Sequence, residues 1–92
     1  DFNGVEKFEL NQNYPNPFNP STTVSFTIPK ASNVKLIIYN QIGQQVGELV
    51  NRNLEAGSYN YTWNAANQSS GIYFYELQAN EFKSVRKMTL IK

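Results

Sequence analysis

Apolar and polar side chains alternate in several short runs along this chain. Val24, Phe26 and Ile28 are interleaved with Thr23, Ser25 and Thr27. Successive side chains of a strand point to opposite faces, so this period of two predicts a half-buried strand. Pro29-Lys30-Ala31-Ser32-Asn33 breaks it, and Val34, Leu36 and Ile38 then alternate with Lys35, Ile37 and Tyr39. Asn40-Gln41-Ile42-Gly43 reads as a tight hairpin connection, with Gly43 free to take a positive φ. Its partner strand is expected over about Gln45–Val50, with Val46 and Leu49 inward and Gly47 at a bulge, and Asn51–Gly57 is expected to be a loop. Tyr59, Tyr61 and Trp63 alternate with Asn60, Thr62 and Asn64, the cleanest strand signal present. After a small, polar surface loop from Asn64 to Gly71, Ile72–Ala79 carries apolar residues on both faces, as a central strand does. Asn80-Glu81 turns the chain, and Phe82–Ile91 returns as the last strand of a hairpin.

Such short runs at intervals of roughly ten residues, without a helical stretch, a repeat or a heptad, predict an all-β fold. The expected architecture is an immunoglobulin-like antiparallel β-sandwich of about seven short strands. Residues 1–9, polar apart from Phe2, Val5 and Phe8, read as a linker, and residues 10–92 as the folded unit with a short edge strand at its start. Between them and the first clear strand lies Asn11-Gln12-Asn13-Tyr14-Pro15-Asn16-Pro17-Phe18-Asn19-Pro20-Ser21-Thr22. Its prolines forbid a helix, remove backbone donors and push their predecessors toward extended conformations. A stiff, turning loop follows, with Tyr14 and Phe18 expected to fold back as anchors on the sandwich.

Composition narrows the chemistry. A chain of 92 residues is one domain, with room for a core but not for a core plus a deep cleft. Eight basic and seven acidic residues give a net charge of +1, and only Lys83, Arg86, Lys87 and Lys92 approach a basic cluster. Charged edge strands of this kind protect against aggregation, so nucleic acid is not an expected partner. No apolar run approaches the length of about 20 residues that spans a bilayer as a helix. The start, Asp1-Phe2-Asn3-Gly4, has no basic or apolar export signal, so the chain reads as a piece of a larger precursor.

The sequence contains neither Cys nor His, which removes thiolates, imidazole bases and the common transition-metal ligands. Ser and Thr therefore have no imidazole partner, and no buried lysine is marked out for a Ser–Lys dyad. Glu48 and Glu76 lie on different expected strands and could approach as a carboxylate pair, but surface strand positions account for them. The Asn-rich segment 11–19 offers amide oxygens without a carboxylate, which suits turn capping better than calcium. No catalytic residue, metal or cofactor is assigned. Tyr59, Tyr61 and Trp63 would make a sugar-stacking platform if exposed, and a core-facing strand if buried; burial is the expectation. An accessory module of a secreted hydrolase, carbohydrate-binding or a passive spacer, is thus the alternative to the reading that follows.

Leu10 to Thr22, with its run Pro15-Asn16-Pro17-Phe18-Asn19-Pro20, closely resembles the opening motif of type A C-terminal sorting domains of the type IX secretion system. Tyr39–Val46 resembles that family's central hairpin, Gly71-Ile72-Tyr73 its Gly-x-Tyr strand, and Lys87-Met88-Thr89-Leu90-Ile91-Lys92 its ending. The resemblance implies an immunoglobulin-like sandwich that directs a cargo of a Gram-negative bacterium from the periplasm through an outer-membrane translocon to the exterior or the cell surface. It also implies a sortase-type surface protease that removes the domain and attaches the cargo to surface lipopolysaccharide. Recognition would then draw on Pro15, Asn16, Pro17, Phe18, Asn19, Pro20, Gly71, Tyr73, Lys87, Met88, Leu90 and Lys92. Most of these motif residues read as structural, and the last strand, read along its edge by strand addition, together with the exposed parts of the proline loop, is the expected contact with a receptor.

Overall fold

Alternating runs become strands because each buries one row of side chains and leaves the other in water. A computed structural model describes residues 7–92; of the expected linker, residues 1–6 lie outside the described residues. Seven strands follow in order: β1 (Glu9–Leu10), β2 (Ser21–Ile28), β3 (Ser32–Tyr39), β4 (Gln45–Leu54), β5 (Gly57–Asn64), β6 (Gly71–Ala79) and β7 (Phe82–Leu90). They form two antiparallel sheets, β1-β2-β5 and β4-β3-β6-β7, packed face to face as an immunoglobulin-like sandwich.

The core is the inner rows of both sheets. Val24, Phe26 and Ile28 of β2 face Val34, Leu36 and Ile38 of β3, and Tyr73, Tyr75, Leu77 and Ala79 of β6 with Met88 and Leu90 of β7. Without disulfides, burial supplies the stability, at about 1.5–3 kcal/mol for each large side chain fully removed from water. Phe26 stacks against Tyr59 and Tyr61 at 5.5 and 5.9 Å between ring centroids. Trp63 meets Tyr73 edge-on at 5.4 Å and Phe18 at 6.0 Å. Gly47 faces this cluster, where an added Cβ would stand 3.1 Å from Trp63 Nε1.

The segment expected to be a loop over Asn51–Gly57 is mostly strand, because β4 runs on to Leu54. Asn51, Arg52 and Asn53 are exposed and show no alternation, yet they pair with Lys35, Val34 and Asn33 of β3, and Leu54 closes the strand from inside. The register of β4 slips twice against β3, skipping Leu49 and Val46 on either side of Gly47. Gly43 takes φ 87° in the β3–β4 turn, and Asn40 Oδ1 accepts the N–H groups of Ile42 and Gln44.

Candidate recognition surface

The segment joining β1 to β2 holds three prolines, Pro15, Pro17 and Pro20, each preceded by a cis peptide bond. Prolines leave carbonyls in place while removing donors, so the loop must find donors in side chains. Asn13, buried, donates from Nδ2 to Pro15 O at 3.1 Å and to Thr22 Oγ1 at 2.9 Å. Thr22 in turn donates to Pro15 O at 2.8 Å. From the opposite sheet, the Tyr75 hydroxyl donates to Asn11 O at 2.7 Å and accepts the Asn13 N–H at 2.8 Å. Burial holds this phenol above its ordinary value, with the Asn13 N–H opposing the shift. Tyr14, expected as an anchor, is 81% exposed. Its N–H and C=O both pair with Thr23, and that antiparallel bridge turns its ring outward and Asn13 inward.

Phe18 is the anchor. Its ring is buried against Trp63, and its backbone lies alongside β7 as a parallel bridge to Leu90. The Phe18 N–H donates to Thr89 O at 2.9 Å, and the Ile91 N–H donates to Phe18 O at 3.0 Å. Thr89 N–H reaches Asn16 Oδ1 at 3.0 Å, Gln12 Nε2 reaches Lys87 O at 2.8 Å, and Arg86 Nε reaches Leu10 O at 2.7 Å. The proline segment is therefore a strap over the outer edge of β7. Strand addition along that strand, expected from sequence, meets an edge already occupied from Lys87 to Ile91; among the described residues, the stretch without such a backbone partner is Lys83 to Val85.

Strap, loop and last residues meet at one end of the sandwich. Pro20 O accepts the Ala65 N–H at 2.8 Å. The Tyr73 hydroxyl donates to Ser69 O at 2.6 Å, and Gly71 opens β6 opposite Leu90. Lys92 donates from its backbone to Ser70 Oγ at 3.0 Å and from Nζ to Ala66 O at 2.6 Å. Of the residues singled out from sequence, Pro15, Asn16, Pro17, Asn19, Pro20, Lys87 and Lys92 are exposed, whereas Phe18, Tyr73, Met88 and Leu90 point into the core. The exposed ones can meet a receptor; the buried ones set the shape they present. Lys87 lies farther along β7, beside Phe74 of β6.

Residues 12–92 match the family described as the secretion system C-terminal sorting domain. The chain belongs to that family. No curated protein and no solved structure matches it. The sorting domain is the C-terminal sorting signal of type IX secretion, its cargo is secreted or held at the cell surface, and the family is not itself catalytic.

Other candidate chemistry in the sorting domain has local partners. Glu48 and Glu76 both pair in register with Ile37, on either side of it, on the open face of the four-stranded sheet rather than across a cleft. Glu76 accepts from the Tyr39 hydroxyl at 3.3 Å and from Gln78 Nε2 at 3.2 Å and lies 3.8 Å from Lys83 Nζ, while Glu48 accepts from Asn51 Nδ2 at 3.1 Å. Trp63 is buried, and Tyr59 and Tyr61 are half-buried on Phe26, so the three rings share no open face. Among the described residues no group of three or more acidic residues could hold a metal ion, and no helix is long and apolar enough to cross a membrane. The residues that shape the strap, Asn13, Thr22 and Tyr75, were not singled out from sequence as site residues. Their signal is chemical: a loop depleted of backbone donors needs polar side chains beside it.

Proposed function

We propose that this sorting domain carries an upstream cargo protein, joined through residues 1–9, from the periplasm of a Gram-negative bacterium through an outer-membrane translocon. The surface read by the translocon is the strap together with the end of β7: Asn16, Pro17 and Asn19 on one side, Lys87 and Lys92 on the other. Phe18, Gly71, Tyr73, Met88 and Leu90 hold that surface in shape. A sortase-type surface protease then removes the domain near the linker and attaches the cargo to the cell surface. One observation carries the reading: the two ends of the family motif, far apart in sequence, are joined by the Phe18–Leu90 bridge into a single surface. A rigid surface of this kind loses little conformational entropy on binding, and it is the same whatever cargo precedes it.

The test uses a fluorescent reporter with an inner-membrane export signal at its start and this domain at its end. It is expressed in a host with a working type IX system and in the same host without the translocon. The intact fusion is expected outside the cell only in the first. Lys87→Glu with Lys92→Glu, both at exposed positions, is expected to leave the fold intact and lower export about tenfold, the equivalent of roughly 1.4 kcal/mol of receptor affinity. Periplasmic retention of the folded intact fusion would overturn the sorting route. Full export of the double variant would remove these two cations from the recognised surface.

A further inference from the structure

An edge strand offers unpaired N–H and C=O groups to any other chain, and native sheets blunt their edges. Three of the four edges of this sandwich are blunted. β1 is two residues long. β4 carries Glu48 and Arg52 and slips register twice. β7 carries Lys83, Arg86 and Lys87 and lies under the strap. The fourth, β5, has no such device. Gly57-Ser58-Tyr59-Asn60-Tyr61-Thr62-Trp63-Asn64 contains no charge and no proline, and its register against β2 runs without a slip.

The backbone polarity of β5 follows from one bond. Ala65 donates its N–H to Pro20 O, toward β2. Pairing alternates along an antiparallel strand, so Trp63, Tyr61 and Tyr59 also turn their backbone groups to β2. Ser58, Asn60, Thr62 and Asn64 turn theirs outward, where β5 has no neighbouring strand among the described residues. The side chains of these four residues are exposed, and those of Tyr59 and Tyr61 are left half-buried at the rim of the core.

We propose that β5 pairs antiparallel with β5 of a second copy of this chain, about a two-fold axis at Tyr61. This register joins Asn60 to Thr62 of the partner subunit and Ser58 to Asn64 of the partner subunit, so every outward N–H and C=O of the strand finds a partner. It also sets Tyr61 beside the partner's Tyr61 and Tyr59 beside the partner's Trp63, covering the Tyr59 and Tyr61 rings that the monomer leaves half-buried. Hydroxyl and amide side chains meet on the outer face, and no like charges oppose each other. A second copy is favoured as occupant because the uncharged strand complements itself, and an isologous contact needs that self-complementarity. The two three-stranded sheets then become one continuous sheet.

Sedimentation of the whole chain over concentrations up to about 1 mM, the dissociation constant of a minimal contact, tests the pairing. The weight-average mass is expected to rise from one chain toward two. Asn60→Lys with Thr62→Lys places lysines opposite lysines and is expected to weaken association about tenfold or more with the far-UV spectrum unchanged. The chain has no cysteine, so Tyr61→Cys gives one thiol at the proposed axis. Its Cα would lie about 4.5 Å from its mate, within disulfide reach. This variant is expected to cross-link under mild oxidation faster than Asn53→Cys on exposed β4. A monomer at every concentration, a dimer indifferent to the lysines, or equal cross-linking at both cysteines would overturn the proposal. Loss of reporter export by the lysine variant of a strictly monomeric domain would also overturn it, showing that the edge takes a strand from another protein.

Discussion

At the scale of single residues, the strap depends on polar side chains that are almost wholly out of water. Asn13 and Thr22 are 3% and 1% exposed, and the described residues leave no buried side-chain nitrogen or oxygen without a partner. Removing one member therefore strands another. Tyr75→Phe keeps the ring and deletes the hydroxyl that serves both Asn11 O and the Asn13 N–H. The expected loss is about 1–3 kcal/mol, measured by urea denaturation. The same residue makes stability depend on alkaline pH. Burial raises the Tyr75 phenol above its ordinary 10.0, so the folded state holds its proton more tightly than the unfolded state. That contribution is intact below 10.0 and is lost as pH rises from there through the folded pKa. A raised phenol at Tyr39, due to burial and then to Glu76, is common to both proteins. Tyr75→Phe is therefore expected to lose less stability than the parent between neutral and strongly alkaline pH.

At the scale of elements, the strap behaves as a fifth piece of the four-stranded sheet, held by one ring and a few hydrogen bonds. Phe18→Ala removes that ring, and the expected loss is about 3–5 kcal/mol. Hydrogen exchange separates a local effect from a global one. The Ile91 amide, which donates to Phe18 O, is expected to lose protection before the amides shared by β3 and β6. Equal loss throughout would show that the strap and the sheet open as one. The elements were legible in sequence wherever apolar side chains recur with period two: β2, β3 and β5 follow from alternation, and β6 from apolar residues on both faces of a central strand. The second half of β4 was not legible, because Asn51, Arg52 and Asn53 lie on an edge where polar side chains suffice and only Leu54 is buried. The strap was legible as a stiff segment, but not its course. Proline dictates what the backbone cannot do, whereas the direction taken by Tyr14 depends on its pairing with Thr23. The occupied edge of β7 was likewise hidden, since it arises from contacts between residues 12–18 and 87–91 that no local pattern encodes.

At the scale of the whole molecule, the last residues belong to the core as much as to the surface proposed for recognition. Deleting Lys87–Lys92 removes Met88 and Leu90, both essentially inaccessible, and leaves Phe18 without its bridge. At roughly 2–5 kcal/mol for each buried side chain, the loss is comparable with the whole stability of a domain, about 5–15 kcal/mol. The truncated chain is expected to lose its near-UV aromatic signal at room temperature, whereas Lys87→Glu with Lys92→Glu keeps it. A failure of export by the truncation would thus report unfolding, which is why the test of function uses exposed substitutions. The strap has a further consequence, in time. Asn16 and Thr89, which share a hydrogen bond, are separated by 73 positions, and Phe18 is closed off only by Ile91. A growing chain carries its proline run long before it carries the strand that gives the run its shape. The finished surface can exist only after synthesis has passed Ile91, so on the proposed reading a precursor stopped before that point lacks a complete label even though nearly all of the motif is present. On the proposed reading, that surface reports that translation ran through the preceding cargo as far as Ile91.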